Sequence, residues 1–521
     1  MVRAYNHYAA LLVLTLTSPC IAACLSENPF VSCTSGHIIG HRAPNRTDTF
    51  EFLGIRYGRA PVGELRFAPP RRYSPPIGTT YNATHWNPDC PANIPPVTIF
   101  PNFTGNGFAV YNQFTAHNDN LQDEDCLALN IWTKSPEYFG HRGRPVFVFF
   151  HGGRFTIPGP HSPFYNGQYL ANSEDVVIVT ASYRLGILGF SGAPGLEQNA
   201  GLRDQRSAVE WVRDNIAVFG GDPSPIIIFG QSAGGSSVDY WAYTYKDDPI
   251  VAGHISHSGT AFSYVPNNVS YAEALWYNVS GTLGCGDRTA TDPETVIACV
   301  RAQNVADILA AALKVPALPT QALPQATFHP TVDNETVLSL GEYTARAKSG
   351  SFAKIPYLAG HGDYEAGFYR VSAYGQNITL SPAQWELYNQ RAFTCPTKYA
   401  TDARVQAGVP KWRYRYMGNW PNLHLDMLFG TAFDVTGERN GPAEEALSRY
   451  IMGAWAGFGR DPAQELGAYG WPRYNGEEAA ESLVLLGDGN QAAPKFVDGK
   501  VYDVVCPPIE ENDPLPGRGA F

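Results

Sequence analysis

Three short apolar runs stand out from an otherwise mixed chain: Pro145–Phe150 (PVFVFF), Val176–Ala181 (VVIVTA) and Pro225–Phe229 (PIIIF). None alternates apolar with polar positions, so none suits a strand with one wet face. Continuous apolar runs of this length fit strands buried on both sides of a mostly parallel sheet. Between the second and third runs, Leu202, Ala208, Val209, Val212, Ile216 and Phe219 recur at helical spacing, and Gly220-Gly221 followed by Asp222-Pro223 predicts a stop and a turn. Strand, helix, strand in this order is the crossover unit of an α/β sheet. Up to Trp132 the chain is richer in Pro and Gly and reads as hairpins and loops packed on an edge. From about Gly281 to Leu323 it is Ala-rich with a helical period, which fits either a roof over a site or a peripheral helix pair.

No internal repeat and no Gly/Ser linker divides the 521 residues, so one large domain over 24–521 is expected behind a leader of residues 1–23. The leader has the layout of a signal peptide: Arg3, an apolar stretch from Ala9 to Leu16, then small residues ending at Ala22 and Ala23. The stretch is shorter than the roughly 20 residues needed to span a bilayer, and no later run is long enough for a transmembrane segment. A lipid-modified Cys24 is the alternative use of this end. The net charge of −11 is spread over the length with no run of lysines or arginines, which argues against nucleic acid as a partner. Seven glycosylation sequons, at Asn45, Asn82, Asn102, Asn268, Asn278, Asn334 and Asn377, favour secretion. Cleavage between Cys20 and Cys24 leaves eight of the nine cysteines, which fits four bridges in an oxidising compartment without fixing their pairing.

Directly after PIIIF comes Gly230-Gln231-Ser232-Ala233-Gly234-Gly235, and then a helix-compatible stretch from Ser236 to Tyr245. A G-x-S-x-G between a buried strand and a helix marks a nucleophile elbow: the glycines let the turn close while the serine hydroxyl is pushed outward. The helix N-terminus then faces the oxygen that becomes negative during acyl transfer. Upstream, His151-Gly152-Gly153-Arg154-Phe155 follows PVFVFF, and paired glycines after a strand suit an oxyanion loop, with Ala233 N–H as the remaining donor. A serine hydroxyl needs a base, and in this arrangement the acid and then the histidine follow the serine along the chain. The acid candidates share one loop, Gly360-His361-Gly362-Asp363-Tyr364-Glu365-Ala366-Gly367: Glu365, with Asp363 as local competitor. Of the thirteen histidines, His424 is the only one after Glu365. No metal or organic cofactor is called for, since no pair of histidines has ligand spacing on one helix face.

At these residues the chain resembles the type-B carboxylesterase/lipase family, the cholinesterase-like branch of the α/β-hydrolases. Phe52-Leu53-Gly54-Ile55-Arg56-Tyr57-Gly58 with Leu65-Arg66-Phe67, Glu124-Asp125-Cys126-Leu127 with Leu129-Asn130-Ile131-Trp132, and Asn199 to Gly235 carry the likeness. The resemblance implies an α/β-hydrolase fold, a large mostly parallel central sheet flanked by helices. It implies that Ser232 is acylated, that Glu365 is the acid, and that Gly152, Gly153 and Ala233 line the oxyanion hole. Ser258, in His257-Ser258-Gly259, resembles a buried serine that hydrogen-bonds the acid. Cys90–Cys126 and Cys285–Cys299 fall at family disulfide positions, Cys395–Cys506 is a third expected pair, and Cys24–Cys33 is left over.

Three departures qualify the likeness. Gln231 stands where many members have Glu. Arg154 replaces a third glycine, so that the substrate meets a cation. The stretch His424-Leu425-Asp426-Met427-Leu428-Phe429-Gly430 is compressed, as though a loop had been cut out between Pro421 and Asp426. The expected function is a secreted carboxylic ester hydrolase with a Ser232–Glu365–His424 relay, acting on a small-molecule or lipid ester. A catalytically silent binding or adhesion relative, and an extracellular lipase, are the alternatives. Residues 91–125 hold five Phe and Tyr but no Trp, which disfavours quaternary amines.

Overall fold

The computed structural model describes residues 28–134, 143–289, 292–315, 326–419, 424–475 and 481–508, and of residues 424–426 the backbone alone. The leader therefore lies outside the described residues. The main sheet has eleven strands: β1 (His41–Ala43), β2 (Arg46–Arg56), β3 (Ala128–Lys134), β4 (Arg144–Phe150), β5 (Val177–Ala181), β6 (Gly221–Gln231), β7 (Gly253–His257), β8 (Tyr357–Gly362), β9 (Lys411–Tyr416), β10 (Leu483–Leu486) and β11 (Lys495–Val497). Their spatial order is β11-β10-β9-β8-β7-β6-β4-β5-β3-β2-β1. From β10 to β5 every neighbouring pair is parallel; β1, β2, β3 and β11 extend the two ends antiparallel.

The three apolar runs are β4, β5 and part of β6, and their lack of alternation has the expected cause. Phe147 and Phe149 enter one core, with Ile227, Phe229, Trp412 and Trp455, while Val146, Val148 and Phe150 enter the other, with Val177, Ile228 and Trp211. Each such side chain removed from water stabilises the fold by about 1.5–3 kcal/mol. The helices that matter for the site are α1 (Gly105–Phe114), α2 (Ala200–Asn215), α3 (Ala233–Thr244), α4 (Val305–Leu313), α5 (Ala366–Gly375), α6 (His424–Phe429) and α7 (Pro442–Arg460). Ala208, Val209 and Val212 of α2 cover the second core, and Ile451, Trp455 and Phe458 of α7 cover the first.

Two local expectations change. The stop at Gly220 is real, with φ 85°, but Asp222-Pro223 is no turn between elements. It lies inside β6, where the pairing with β4 breaks register between Gly221 and Ile226. Pro223 and Pro225 cannot donate to a ladder, so the run of prolines marks a gap in the pairing. The N-terminal part does more than pack on an edge, because β2 and β3 continue the main sheet itself. A separate three-stranded sheet of Phe30–Cys33, Gly36–Ile39 and Thr80–Asn82 sends Ile38 into the second core.

Cys90–Cys126, Cys285–Cys299 and Cys395–Cys506 are bonded. Against the expected Cys24–Cys33 bond, Cys33 is a free thiol, partly buried against the second core; Cys24 lies outside the described residues. No single helix among the described residues is long and apolar enough to cross a membrane.

Candidate active site

Strand β6 ends at Gln231 and α3 begins at Ala233, so the chain changes course within one residue. That residue, Ser232, holds φ 55° and ψ −116°, a conformation a non-glycine residue keeps only where its surroundings impose it. They do so by crowding. A Cβ on Gly230 would lie 2.4 Å from the Gly234 carbonyl oxygen, and one on Gly234 would lie 1.9 Å from the Phe150 oxygen. Only glycine at both positions lets β4, β6 and α3 come this close. The Ser232 amide donates to the His257 carbonyl at 2.8 Å, which ties the turn to β7.

The glycine loop after β4 lies against this serine. A Cβ on Gly152 would fall 2.4 Å from Gln231 Oε1 and 3.1 Å from Ser232 Cβ. Gly153 turns at φ 96°, and its carbonyl accepts from the Thr156 and Ile157 amides at 2.9 Å each. Arg154 and Phe155 follow at φ 58° and 62°. Ala233 opens α3 and Ser232 provides no side-chain cap; the first N–H groups of a helix have no acceptor within it. Beneath the loop, the His151 ring stacks on Tyr183 with centroids 4.5 Å apart and sits 2.9 Å from the Gly152 carbonyl through Nδ1. Burial holds its imidazole down to about 4, so it stays neutral and structural.

Between the two acid candidates the geometry is one-sided. Ser258 Oγ donates to Glu365 Oε1 at 2.5 Å, and the Gly362 amide donates to the same oxygen at 2.7 Å. Asp363 turns away: its Oδ1 accepts from Arg415 Nε at 2.7 Å, and its side chain is 47% exposed. Glu365 lines a cavity of about 70 Å³ together with Ser232, Gly153, Gln231, Arg154 and Tyr369. A larger cavity of about 500 Å³ shares Arg154, Ile157, Phe368 and Tyr369 with it. The walls of the larger one come from Ala92–Pro96 and Thr98 inside the Cys90–Cys126 loop, Tyr111 of α1, Leu309 and Leu313 of α4, and Ser372 of α5. The Ala-rich segment is thus a cavity wall through α4.

One contact has no precursor in the motifs. Ser232 Oγ is 2.8 Å from the Tyr264 hydroxyl. Burial raises the phenol of Tyr264 above its ordinary value, so it is a neutral hydroxyl at physiological pH. Its segment is pinned by Asp239, whose Oδ2 accepts from the Ala261 amide at 2.7 Å and whose Oδ1 accepts from Arg404 at 2.5 Å. His424 begins α6, but its side chain, and residues 420–423 of the compressed stretch, lie outside the described residues. Among the described residues no group of three His, Cys, Asp or Glu is arranged to hold a metal ion.

A parallel sheet wound this way, with a serine raised on the turn after a central strand, defines the α/β-hydrolase class. The fold is that of the solved PNB esterase, with a TM-score of 0.70 at 24% identity over 90% of this chain and 97% of that one. Residues 27–404 match the sequence profile of the carboxylesterase family, and the chain belongs to that family. It is 29% identical to a chlorogenic acid esterase of Aspergillus niger, over 94% of this chain and 96% of that protein. It is 28% identical to secreted lipase 5 of Gibberella zeae, over 95% and 97%. The protein is a serine carboxylic ester hydrolase.

Proposed function

We propose that the protein is a secreted ester hydrolase in which Ser232, Glu365 and His424 form the relay and Gly152, Gly153 and Ala233 the oxyanion hole. The observation that carries this reading is that the Ser232 hydroxyl and the Glu365 carboxylate line one small cavity, with the glycine loop as its wall. His424 takes the Ser232 proton as Oγ bonds to the ester carbonyl carbon, and the carbonyl oxygen becomes an oxyanion held by backbone N–H groups. Collapse breaks the bond to the alcohol, which leaves with the proton from the imidazolium. Water, deprotonated by the same ring, then releases the acid. Glu365 fixes the tautomer of His424 and stabilises its charged form, and Ser258 and the Gly362 amide hold the carboxylate in place.

The course of α6 supports His424 as the base. Phe429, at the end of that helix, packs its ring 5.2 Å from Phe149 and 5.8 Å from Phe229, three residues before Ser232. The helix that starts with His424 is therefore anchored at its far end on β4 and on the strand that leads into the elbow. For His424 to take its proton, the Ser232 hydroxyl has to leave the 2.8 Å contact with the Tyr264 hydroxyl.

Secretion rests on the leader's layout, the three disulfides and the seven sequon asparagines, each of which is exposed. A single domain over 24–521 is supported by one sheet that draws strands from His41 to Val497. The substrate is a small-molecule or lipid ester; a soluble ester is favoured, and rates on soluble against emulsified substrate test that choice. The relay is tested on the secreted protein with a p-nitrophenyl ester of a short acid. Ser232→Ala and His424→Ala should each lower kcat by at least about a thousandfold. Wild-type turnover that survives Ser232→Ala refutes the relay. Absence of turnover in the wild type points to the silent binding relative.

A further inference from the structure

The two cavities meet at Arg154, and the larger is otherwise neutral. Among the described residues that line it, Arg154 is the one charged side chain. Its place is not that of a surface arginine swept into a groove. It sits at φ 58° in the loop that touches Ser232, a conformation that a non-glycine residue keeps only where its surroundings impose it. The next residue, Phe155, is 1% exposed and packs edge-on against Phe190, centroids 5.2 Å apart, so the backbone that carries the guanidinium is anchored.

Among the described residues that line the cavities beside Arg154, the other groups are neutral or engaged elsewhere. Gln231 puts an amide, not a carboxylate, beside the nucleophile; its Oε1 is buried and has no hydrogen-bond partner among the described residues. Glu365 lines only the smaller cavity, and its Oε1 is taken by Ser258 and the Gly362 amide. The field of Arg154 reaches both cavities: burial raises the phenols of Tyr111, Tyr264 and Tyr369, and the charge of Arg154 opposes that rise at all three. A guanidinium has five N–H donors, enough to keep a protein partner and still present a fork to a carboxylate.

We infer that Arg154 selects esters bearing a carboxylate on the half that occupies the larger cavity. This deepens the hydrolase reading of Ser232 and rests on it for the fate of the bound ester. Recognition itself is separable from turnover, because it concerns a ligand that has not yet reacted.

The test is equilibrium binding by calorimetry in the Ser232→Ala background, where the probes stay intact. Two matched pairs place the charge on either half of the ester. For the alcohol half, 4-carboxyphenyl butyrate is compared with 4-(methoxycarbonyl)phenyl butyrate; for the acyl half, monophenyl adipate with methyl phenyl adipate. In one pair the anion should bind about tenfold more tightly than its neutral partner, the scale of a charge-assisted hydrogen bond. That pair identifies the half in the larger cavity. Adding Arg154→Gln, or Arg154→Gly, which suits the positive φ and guards against a folding defect, should bring the ratio close to one. Equal binding in both pairs, or a preference that survives both substitutions, overturns the inference. If wild-type enzyme fails to hydrolyse the neutral butyrate while the preference holds, the hydrolase reading falls and the anion-selective pocket stands.

Discussion

Between Gly234 and the Phe150 carbonyl there is no room for one more carbon, and that local fact holds Ser232 in its turn. Glu365, the proposed acid, depends on a different kind of contact. Ser258 donates to Glu365 across 107 residues of sequence, and a hydrogen bond to a charged acceptor contributes about 1.5–3 kcal/mol. Ser258→Ala should therefore lower kcat by roughly ten- to a hundredfold. KM should stay within a few-fold, because Ser258 is not among the cavity-lining residues and acts only through the carboxylate. A change confined to KM would instead assign Ser258 to substrate binding.

At the scale of elements, the proposed role of His424 makes α6 a link between stability and catalysis. Truncation of a buried phenylalanine costs about 3–5 kcal/mol, so Phe429→Ala and Phe458→Ala, both in the first core, should lower the melting temperature to a similar extent. Only Phe429→Ala loosens the helix that begins at His424. Measured at a temperature where both variants are folded, it should cut kcat more than tenfold while Phe458→Ala does not. Equal kcat values would detach α6 from the relay. The same elements show what could be read along the chain. The strands and the elbow were legible because their determinants are local: apolar runs, and glycines two residues either side of Ser232. Glu365 and Asp363 were indistinguishable by position, since they share a loop and are told apart by Ser258 and Arg415, far away in sequence. Tyr264 was invisible for the same reason, its placement resting on Asp239 and Arg404. The prolines of Asp222–Pro225 signalled a real interruption, but it proved to be a break in strand pairing and not a turn.

For the whole molecule, acid sensitivity follows from histidines that are buried and neutral. Burial lowers His151 to about 4 and His254 to about 3, against about 6.5 in an unfolded chain. Below about pH 6.5 the unfolded chain binds protons that these rings refuse, so their contribution is complete above that pH and is lost as the pH falls toward 4 and 3. Each group costs up to about 1.4 kcal/mol per pH unit across this window. The melting temperature should decline steadily from pH 6.5 to 4, and replacing His254 with Gln should flatten the decline. An unchanged slope would mean that other groups govern it.

The bond between Cys395 and Cys506 spans 111 residues and has one end after the last strand of the sheet. Ser232, Glu365 and His424 all precede Cys506, so each leaves the ribosome before the partner of Cys395 does. Until then the Cys395 thiol has no native partner, while Cys33, Cys90, Cys126, Cys285 and Cys299 have all been made and can compete for it. Correct pairing of Cys395 is thus a question of order, favoured when Cys90–Cys126 and Cys285–Cys299 have closed before Cys506 is made.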